Sequence, residues 1–273
     1  MNDIKPLILI TNDDGIHSPG LKAAAEAVSD LGDILISAPH MQQTGMGRAF
    51  PRNDDVGIID KIPFNINGKT IIGYAVHGSP AFSVAHGILE LTERKPDLCI
   101  SGINYGENIG LTLTCSGTVG AVFEADSHNI HGIAISIESD LEIQRTSNYV
   151  KTDWTAAKKI LKAVAENVLK KGMPGNVNIY NINVPSNPIS SDKFRFTTQS
   201  RQNYFEFIKP LKRNFNKPYS LQSKRYVNIE KLEKNSDIYA LYIDNMTSVT
   251  PINTNMSVKI SEVNNYKLMT VPF

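Results

Sequence analysis

The sequence predicts an α/β fold in which a Rossmann-like, mostly parallel sheet is covered by helices on both faces. Short continuous apolar runs, typical of strands buried on both faces, recur through the first two thirds of the chain. Segments with the apolar spacing of helices alternate with these runs, and the connections are short. After about Pro188 the pattern changes to short β-like segments separated by Asn, Ser and Lys. We therefore expect a core over residues 1–188 and a β-rich C-terminal arm over 189–273 that is not an independent domain.

The composition of the 273-residue chain narrows the functional class. Lys and Arg number 28 against 27 Asp and Glu, and the resulting net charge of +1 argues against a nucleic-acid binder with a broad basic surface. No apolar run approaches the ~20 residues of a membrane span, and the N-terminus does not have the features of a secretory signal. Two cysteines, Cys99 and Cys115, make neither a disulfide framework nor a four-thiolate zinc site. We expect a cytoplasmic protein with no membrane partner and no stable nucleic-acid complex.

The N-terminal elements follow the strand–helix alternation directly. Leu7 to Ile10 predicts a buried strand, which the polar run Asn12 to Gly15 ends. Ser18 then offers a cap for the next helix, and Pro19 fits its first turn. Ile34 to Ile36 predicts the second strand.

The same signals continue along the middle of the chain. Ser79 and Pro80 repeat the cap-and-proline start of a helix. Leu98 to Ile100 and Ile133 to Ile137 predict two further buried strands, and a helix over Val119 to Ala125 lies between them.

The clearest helix is predicted over Lys151 to Lys171, where apolar residues recur at i, i+3, i+4 and i+7. Gly172 ends it, and Val177 to Val184 then alternates as a strand. Four later segments have a short β-like or irregular pattern: Phe194 to Phe196, Tyr204 to Ile208, Tyr239 to Ile243 and Tyr266 to Val271.

Polar residues with metal-binding chemistry follow the first predicted strand. Asp13 and Asp14 are adjacent carboxylates at a buried strand end, where they repel each other and are costly to desolvate. A hard divalent cation relieves both costs because carboxylate oxygens are its preferred ligands. The alternative is that one Asp caps the next helix while the other is solvated. Thr44 offers a weaker ligand oxygen after the second strand, but alone it indicates only a turn.

A third polar cluster follows the strand Leu98 to Ile100. Asn104 can give a neutral carbonyl oxygen to a metal. The run Ser116-Gly117-Thr118 stands where the next helix opens, and free N–H groups at such a helix end bind phosphate. The alternative is an ordinary Ser or Thr cap. Because the carboxyl ends of parallel strands meet at one edge of the sheet, these groups are expected together.

These residues closely resemble those of the SurE (survival protein E) family. The resemblance covers about residues 5 to 200 and rests on five ordered motifs: ILITNDDGIHSPG from Ile8 to Gly20, YAVHGSPA from Tyr74 to Ala81, SGINYGENIG from Ser101 to Gly110, SGTVGA from Ser116 to Ala121, and NINVP from Asn181 to Pro185. It implies a Rossmann-like core with a C-terminal oligomerisation arm, forming a homodimer or homotetramer. It also implies hydrolysis of nucleoside 5′(3′)-monophosphates at a divalent metal, with Mg²⁺ or Mn²⁺ expected.

The resemblance implies specific roles for residues of this chain. The metal ligands would be Asp13, Asp14, Asn104 and the hydroxyl at Thr44, where family members usually have serine. The first three are also the expected catalytic residues. From the residues themselves, we expect the phosphate to be held by Asn108, Ser116, Gly117 and Thr118. Whether His17, Arg201 or Tyr204 contacts substrate is left open.

The motif inventory favours direct attack of water on phosphorus. The sequence has neither a G-x-x-x-x-G-K-[ST] run nor an H-E-x-x-H run. Asp13-Asp14 does not have the Asp-x-Asp spacing of phosphatases that form a phosphoaspartate. A bound metal lowers the pKa of water and polarises a phosphoryl oxygen. The alternative is a non-catalytic nucleotide-binding or regulatory protein on the same fold.

Overall fold

The computed structural model describes residues 5–144, 146 and 149–258, and its centre is a nine-stranded sheet. The described residues form eleven strands, of which all but β9 and β10 belong to this sheet. They are β1 (Leu7–Thr11), β2 (Asp33–Pro39), β3 (Ile59–Ile66), β4 (Lys69–Val76), β5 (Leu98–Tyr105), β6 (Gly132–Ile137), β7 (Ile179–Val184), β8 (Phe194–Phe196), β9 (Phe205–Phe207), β10 (Ser223–Arg225) and β11 (Thr247–Ile252). The α-helices are α1 (Pro19–Val28), α2 (Pro80–Leu89), α3 (Gly117–Ser127) and α4 (Thr155–Lys171).

The sheet has the strand order β3-β4-β2-β1-β5-β6-β7-β11-β8. The six central strands from β4 to β7 are parallel, which confirms the predicted fold class. β3 and β11 are antiparallel to their neighbours β4 and β7, and β8 is parallel to β11. The central order places β1 and β5 side by side, so the polar residues after both strands lie at the same edge.

Helices cover both faces of the sheet because the buried strands are apolar on both sides. Along β1, Ile8 and Ile10 face the cluster that includes α1 and α4, whereas Leu7 and Leu9 face the cluster that includes α2 and α3. Cys99 on β5 belongs to the second cluster and is fully buried.

The starts of α1 and α2 agree with the sequence signals, whereas α4 begins at Thr155 and not at Lys151 as predicted. The Ser18 hydroxyl accepts a hydrogen bond from the Gly20 N–H, and the Ser79 hydroxyl accepts one from the Phe82 N–H. Gly172, with a φ of 70°, follows the last residue of α4. In the described residues, no helix is long and apolar enough to cross a membrane.

Several elements differ from the sequence expectations. The hairpin of β3 and β4 and the strands β10 and β11 were not predicted. β5 continues past Ile100 to Tyr105, and its pairing with β6 shifts register between Ser101 and Asn104. The prediction of a β-like segment at Tyr239 to Ile243 was wrong, because this segment forms a single π-helical turn.

The turn at Tyr239–Ile243 forms because its apolar residues share one side at helical spacing. Ile238 and Leu241 pack with Ile109 and Tyr204 in a small third cluster, and the Ser236 hydroxyl accepts from the Tyr239 N–H. The predicted segment Tyr266 to Val271 lies outside the described residues.

The arm is continuous with the sheet. β11 pairs with β7 and β8 pairs with β11, so strands from both sides of residue 188 share one sheet. β9 and β10 form a separate antiparallel pair. The boundary at residue 188 stays a prediction.

Candidate active site

The turn after β1 holds two carboxylates at the edge of the sheet. The side chain of Asn12 closes this turn, because its amide donates to the Gly15 carbonyl and its oxygen accepts from the Gly15 N–H. Gly15 has a φ of 100°, and an added Cβ would lie 3.0 Å from the carbonyl carbon of Met41. This tight turn leaves Asp13 and Asp14 only 3% and 1% exposed.

The two carboxylates are strongly perturbed by their surroundings. Burial raises the pKa of Asp13 from its ordinary 3.8 to about 6, against the opposing hydrogen bond from Thr118. Burial and repulsion by Asp13 raise the pKa of Asp14 well above its ordinary value. Keeping both groups ionised at neutral pH therefore needs a compensating positive charge.

The N-terminus of α3 is built against Asp13. The Thr118 hydroxyl donates to Asp13 Oδ1 at 2.8 Å, and an added Cβ on Gly117 would lie 2.7 Å from the Asp13 Cβ. The Ser116 hydroxyl caps the helix by accepting from the Val119 N–H. Only glycine at position 117 allows the carboxylate to approach the helix end so closely.

Asn104 enters the site from β5. Its amide nitrogen donates to the Gly106 carbonyl, which leaves its own carbonyl oxygen available as a ligand. The next residue, Tyr105, donates its N–H to Asp14 Oδ2 at 3.1 Å. The irregular end of β5 therefore holds both Asn104 and the second carboxylate in place.

The backbone and the side-chain amide nitrogen of Asn108 are hydrogen-bonded, and of the four partners only Thr118 was selected as a site residue from the sequence. Its N–H donates to Asn183 Oδ1 at 2.7 Å, and its side-chain amide donates to Ser136 Oγ and Thr118 Oγ1. Its carbonyl accepts from the amides of Asn181 and Asn183. The NINVP motif was the sequence signal for the two β7 asparagines, but their role as supports was missed.

Thr44 lies on the loop after β2. Its side chain is exposed, and its hydroxyl reaches the Gln144 carbonyl at 3.4 Å. The loop is tied to the carboxylate turn, because the Gln43 N–H donates to the Asp13 carbonyl at 2.7 Å.

A cleft of about 540 Å³ opens over these residues. It is lined by five of the predicted site residues: Asp13, Thr44, Asn104, Asn108 and Ser116. Asp14, Gly117 and Thr118 are not part of this lining. The arm contributes Asn203, Phe205 and Phe207 to the cleft, and no sequence signal had placed them there.

The three residues left open by the sequence do not line this cleft. His17 and Arg201 are exposed, and Tyr204 is fully buried. The Arg225 guanidinium lies 5.0 Å from the centre of the Tyr204 ring. Arg225 also lies near Glu107, whose pKa burial raises to about 7.

Comparison with known proteins identifies the family. The sequence model described as "Survival protein SurE" matches residues 8–206. The chain is 36% identical over 271 residues to a protein of Methanosarcina mazei named "5'-nucleotidase SurE", covering 96% of this chain and 97% of the relative. The chain belongs to the SurE family.

Other relatives agree with this assignment. A protein of the same name from Methanothermobacter thermautotrophicus is 41% identical over 204 residues, covering 74% of this chain and 76% of the relative. The crystal structure of the SurE protein from Aquifex aeolicus superposes with a TM-score of 0.72 at 26% identity, over 95% of this chain and 97% of that chain. The similarity therefore includes the arm as well as the core.

The SurE site has the donor chemistry of a divalent cation site. Asp13, Asp14, Asn104 and Thr44 offer oxygen ligands, which Mg²⁺ and Mn²⁺ prefer. In the described part of the chain, the donors that reach the two carboxylates are neutral groups on Thr118, Tyr105 and Gln42. Because these donors are neutral, they do not balance the negative charge of the two buried carboxylates. A bound divalent cation would balance it, so the residues present fit a metal site.

Proposed function

We propose that this protein is a divalent-metal-dependent phosphomonoesterase that hydrolyses nucleoside 5′(3′)-monophosphates to nucleoside and phosphate. The observation that carries the proposal is the pair of buried carboxylates, Asp13 and Asp14, beside the N-terminus of α3 at a nucleotide-sized cleft. The name "5'-nucleotidase SurE" of the relatives supports it. One Mg²⁺ or Mn²⁺ would be held by four residues: Asp13, Asp14, Asn104 and Thr44.

The bound cation would supply positive charge and Lewis acidity to the phosphoryl group and lower the pKa of a water molecule. The residues of the chain then have separate tasks. Thr118 was expected to bind the phosphate, but its hydroxyl proton is donated to Asp13 Oδ1, so we assign it to orienting that carboxylate. The Tyr105 N–H orients Asp14 in the same way. Ser116 and Gly117, at the positive end of the α3 dipole, would bind the non-reacting phosphoryl oxygens. The Asn108 amide would join them by exchanging its 3.3 Å bond to Thr118 Oγ1 for one to phosphate.

The nucleoside would occupy the side of the cleft that the arm forms. Phe205 and Phe207 offer aromatic faces, and Asn203 offers an amide for hydrogen bonds. Stacking accepts every base, so discrimination among bases should be modest. Discrimination for a monoester over a diester should be strong, because a second ester removes a free phosphoryl oxygen.

The test is turnover of AMP, GMP, CMP and a phosphodiester by the full chain, with Mg²⁺, with Mn²⁺ and with a chelator. We expect hydrolysis of the three monoesters with metal, little hydrolysis of the diester, and none with chelator. Nucleotide binding without hydrolysis under every metal condition would instead identify a non-catalytic nucleotide-binding or regulatory protein.

Removal of the Thr118 hydroxyl should weaken catalysis through Asp13. Thr118→Val keeps the shape but leaves Asp13 Oδ1 without this donor, which costs about 1.5–3 kcal/mol for a charged acceptor. We expect kcat/KM to fall about 10- to 100-fold and the Mn²⁺ concentration for half-maximal activity to rise. Steady-state kinetics at varied Mn²⁺ measure both.

Two variants control this measurement. Thr118→Ser restores the hydroxyl and should recover most activity. Thr114→Val removes a hydroxyl from the neighbouring 3-10 turn, where it bonds to the Leu111 carbonyl, and should have little effect. Equal activity of Thr118→Val and wild type would contradict the positioning role.

The remaining expectations concern the assembly and location of the protein. We propose a homodimer or homotetramer that uses the arm, together with a cytoplasmic location. Exposed apolar side chains of the arm, such as Leu211 and Phe215, support the association. The oligomeric state is measured by light scattering of the full chain at micromolar concentration.

A further inference from the structure

A second cluster of ligand side chains lies on the loop side of strands β2, β4 and β3. His40 directly follows β2, and His77 directly follows β4, so both imidazoles leave the carboxyl ends of neighbouring parallel strands. The His40 N–H donates to the Val76 carbonyl, which fixes the two strand ends together. Asp60 lies on β3, opposite Ala75 of β4.

These three side chains converge on a common point. One ligand atom each from His40, Asp60 and His77 lies within 4.8 Å of the other two. His77 Nε2 is 3.0 Å from Asp60 Oδ2. Two ligands of one tetrahedral zinc ion lie about 3.3 to 3.6 Å apart, given metal–ligand distances of about 2.0 to 2.2 Å, so His77 and Asp60 would separate by a few tenths of an ångström around an ion.

The second nitrogen of His77 has the partner that metal-binding histidines use. His77 Nδ1 is 3.0 Å from Asp55 Oδ2. A carboxylate that accepts the Nδ1–H fixes the tautomer and directs Nε2 to a cation, as in carboxylate–histidine–zinc arrangements. A cavity of about 230 Å³ beside His40, Asp55 and His77 has room for the water ligands of an ion, although Asp60 is not part of its lining.

We propose that His40, Asp60 and His77 form a second metal site that takes a transition-metal cation of the Zn²⁺, Co²⁺ or Ni²⁺ class. We name it the histidine site. Imidazole nitrogen suits these borderline ions, whereas the all-oxygen set around Asp13 suits Mg²⁺ or Mn²⁺. The two sites therefore differ in the metals that they select.

The histidine site also fixes the start of the loop that carries Thr44. His40 is four residues before Thr44, and Gln43 between them is hydrogen-bonded to the Asp13 carbonyl. A cation at His40 would tie the start of this loop to β3 and β4 through Asp60 and His77. Residues 41–47 become less mobile when the site is filled.

The experiment measures Zn²⁺ binding by titration calorimetry on the full chain that carries both Asp13→Asn and Asp14→Asn, so that the oxygen ligands do not compete. We expect one Zn²⁺ per chain. Adding His40→Ala or His77→Ala should weaken binding at least about tenfold, and adding Asp55→Asn about 10- to 100-fold, as for an outer-shell partner. The matched control, His17→Ala, removes an exposed histidine elsewhere and should leave binding unchanged.

A second measurement uses the wild-type chain with saturating Mg²⁺. Added Co²⁺ should give visible d–d absorption that His77→Ala removes, and Zn²⁺ should slow hydrogen exchange over residues 41–47 in wild type but not in His77→Ala. Circular dichroism checks that each variant is folded. Zn²⁺ affinity and Co²⁺ spectra that are unchanged by both His40→Ala and His77→Ala would overturn the site, and unchanged exchange with Zn²⁺ bound would overturn its effect on the loop.

Discussion

Asp13→Asn should reduce turnover of nucleoside monophosphates by about three orders of magnitude, equivalent to about 4 kcal/mol of transition-state stabilisation. The change replaces one ligand oxygen by an amide nitrogen and removes a negative charge that holds the cation. The Asn oxygen can still accept from the Thr118 hydroxyl, so the local fold should be kept. Steady-state kinetics with saturating Mn²⁺ measure the loss.

The control for this prediction is Asp192→Asn, which neutralises an exposed carboxylate paired with Lys159 on the surface. It should leave kcat and KM unchanged, because exposed ion pairs contribute little. Wild-type turnover by Asp13→Asn in saturating Mn²⁺ would show that this carboxylate is not a ligand.

The fold could be predicted wherever one element carries its own signal. The buried strands β1, β5 and β6 are apolar runs, and Ser18, Ser79 and Gly172 mark helix ends, so local patterns sufficed there. The β3–β4 hairpin also carries a local sequence signal for its turn. Asn67-Gly68 joins the two strands, and both residues have positive φ, as a two-residue hairpin turn requires.

At the end of β5 and at the turn that begins with Tyr239, the local sequence pattern does not determine the secondary structure. Gly102 and Gly106 are typical of a loop, yet the chain from Ser101 to Tyr105 stays in the sheet because β6 accepts it after a register shift. The short apolar segment from Tyr239 is equally compatible with a strand or a helical turn. Its contact with Tyr204 and Ile109, which are distant in sequence, decides for the turn.

The candidate site shows the same division between local and distant information. Asp13, Asn104 and Ser116 could be placed together because the carboxyl ends of adjacent parallel strands share one edge. The supports around Asn108 and the cleft wall formed by Phe205 and Phe207 come from distant parts of the chain. Their positions depend on how the arm packs against the sheet. This packing cannot be predicted from the spacing of residues along the sequence.

The metal-free protein should lose stability as pH rises from about 4 to about 6. The pKa of Asp13 is about 6 in the folded chain against an ordinary value of 3.8, and the pKa of Asp14 is also raised. Between these values the folded state holds protons that the unfolded state has released, so the free energy of unfolding falls with rising pH. The contribution of Asp13 to this loss is complete above about pH 6, and that of Asp14 adds to it over its own raised range.

Divalent metal should reverse this loss at neutral pH. At a Mn²⁺ concentration about 100 times its Kd, binding to the folded state stabilises by about 2.7 kcal/mol, which should raise Tm by about 5 °C for a chain of this size. The chain with both Asp13→Asn and Asp14→Asn carries no buried charge pair. It should melt above metal-free wild type at pH 7 and should not respond to Mn²⁺. Thermal melts from pH 4 to pH 8, with Mn²⁺ and with chelator, measure both effects. A metal-free Tm that stays level or rises through this range, or a double variant that responds to Mn²⁺ like wild type, would show that the carboxylates are not the charged ligands inferred from their burial.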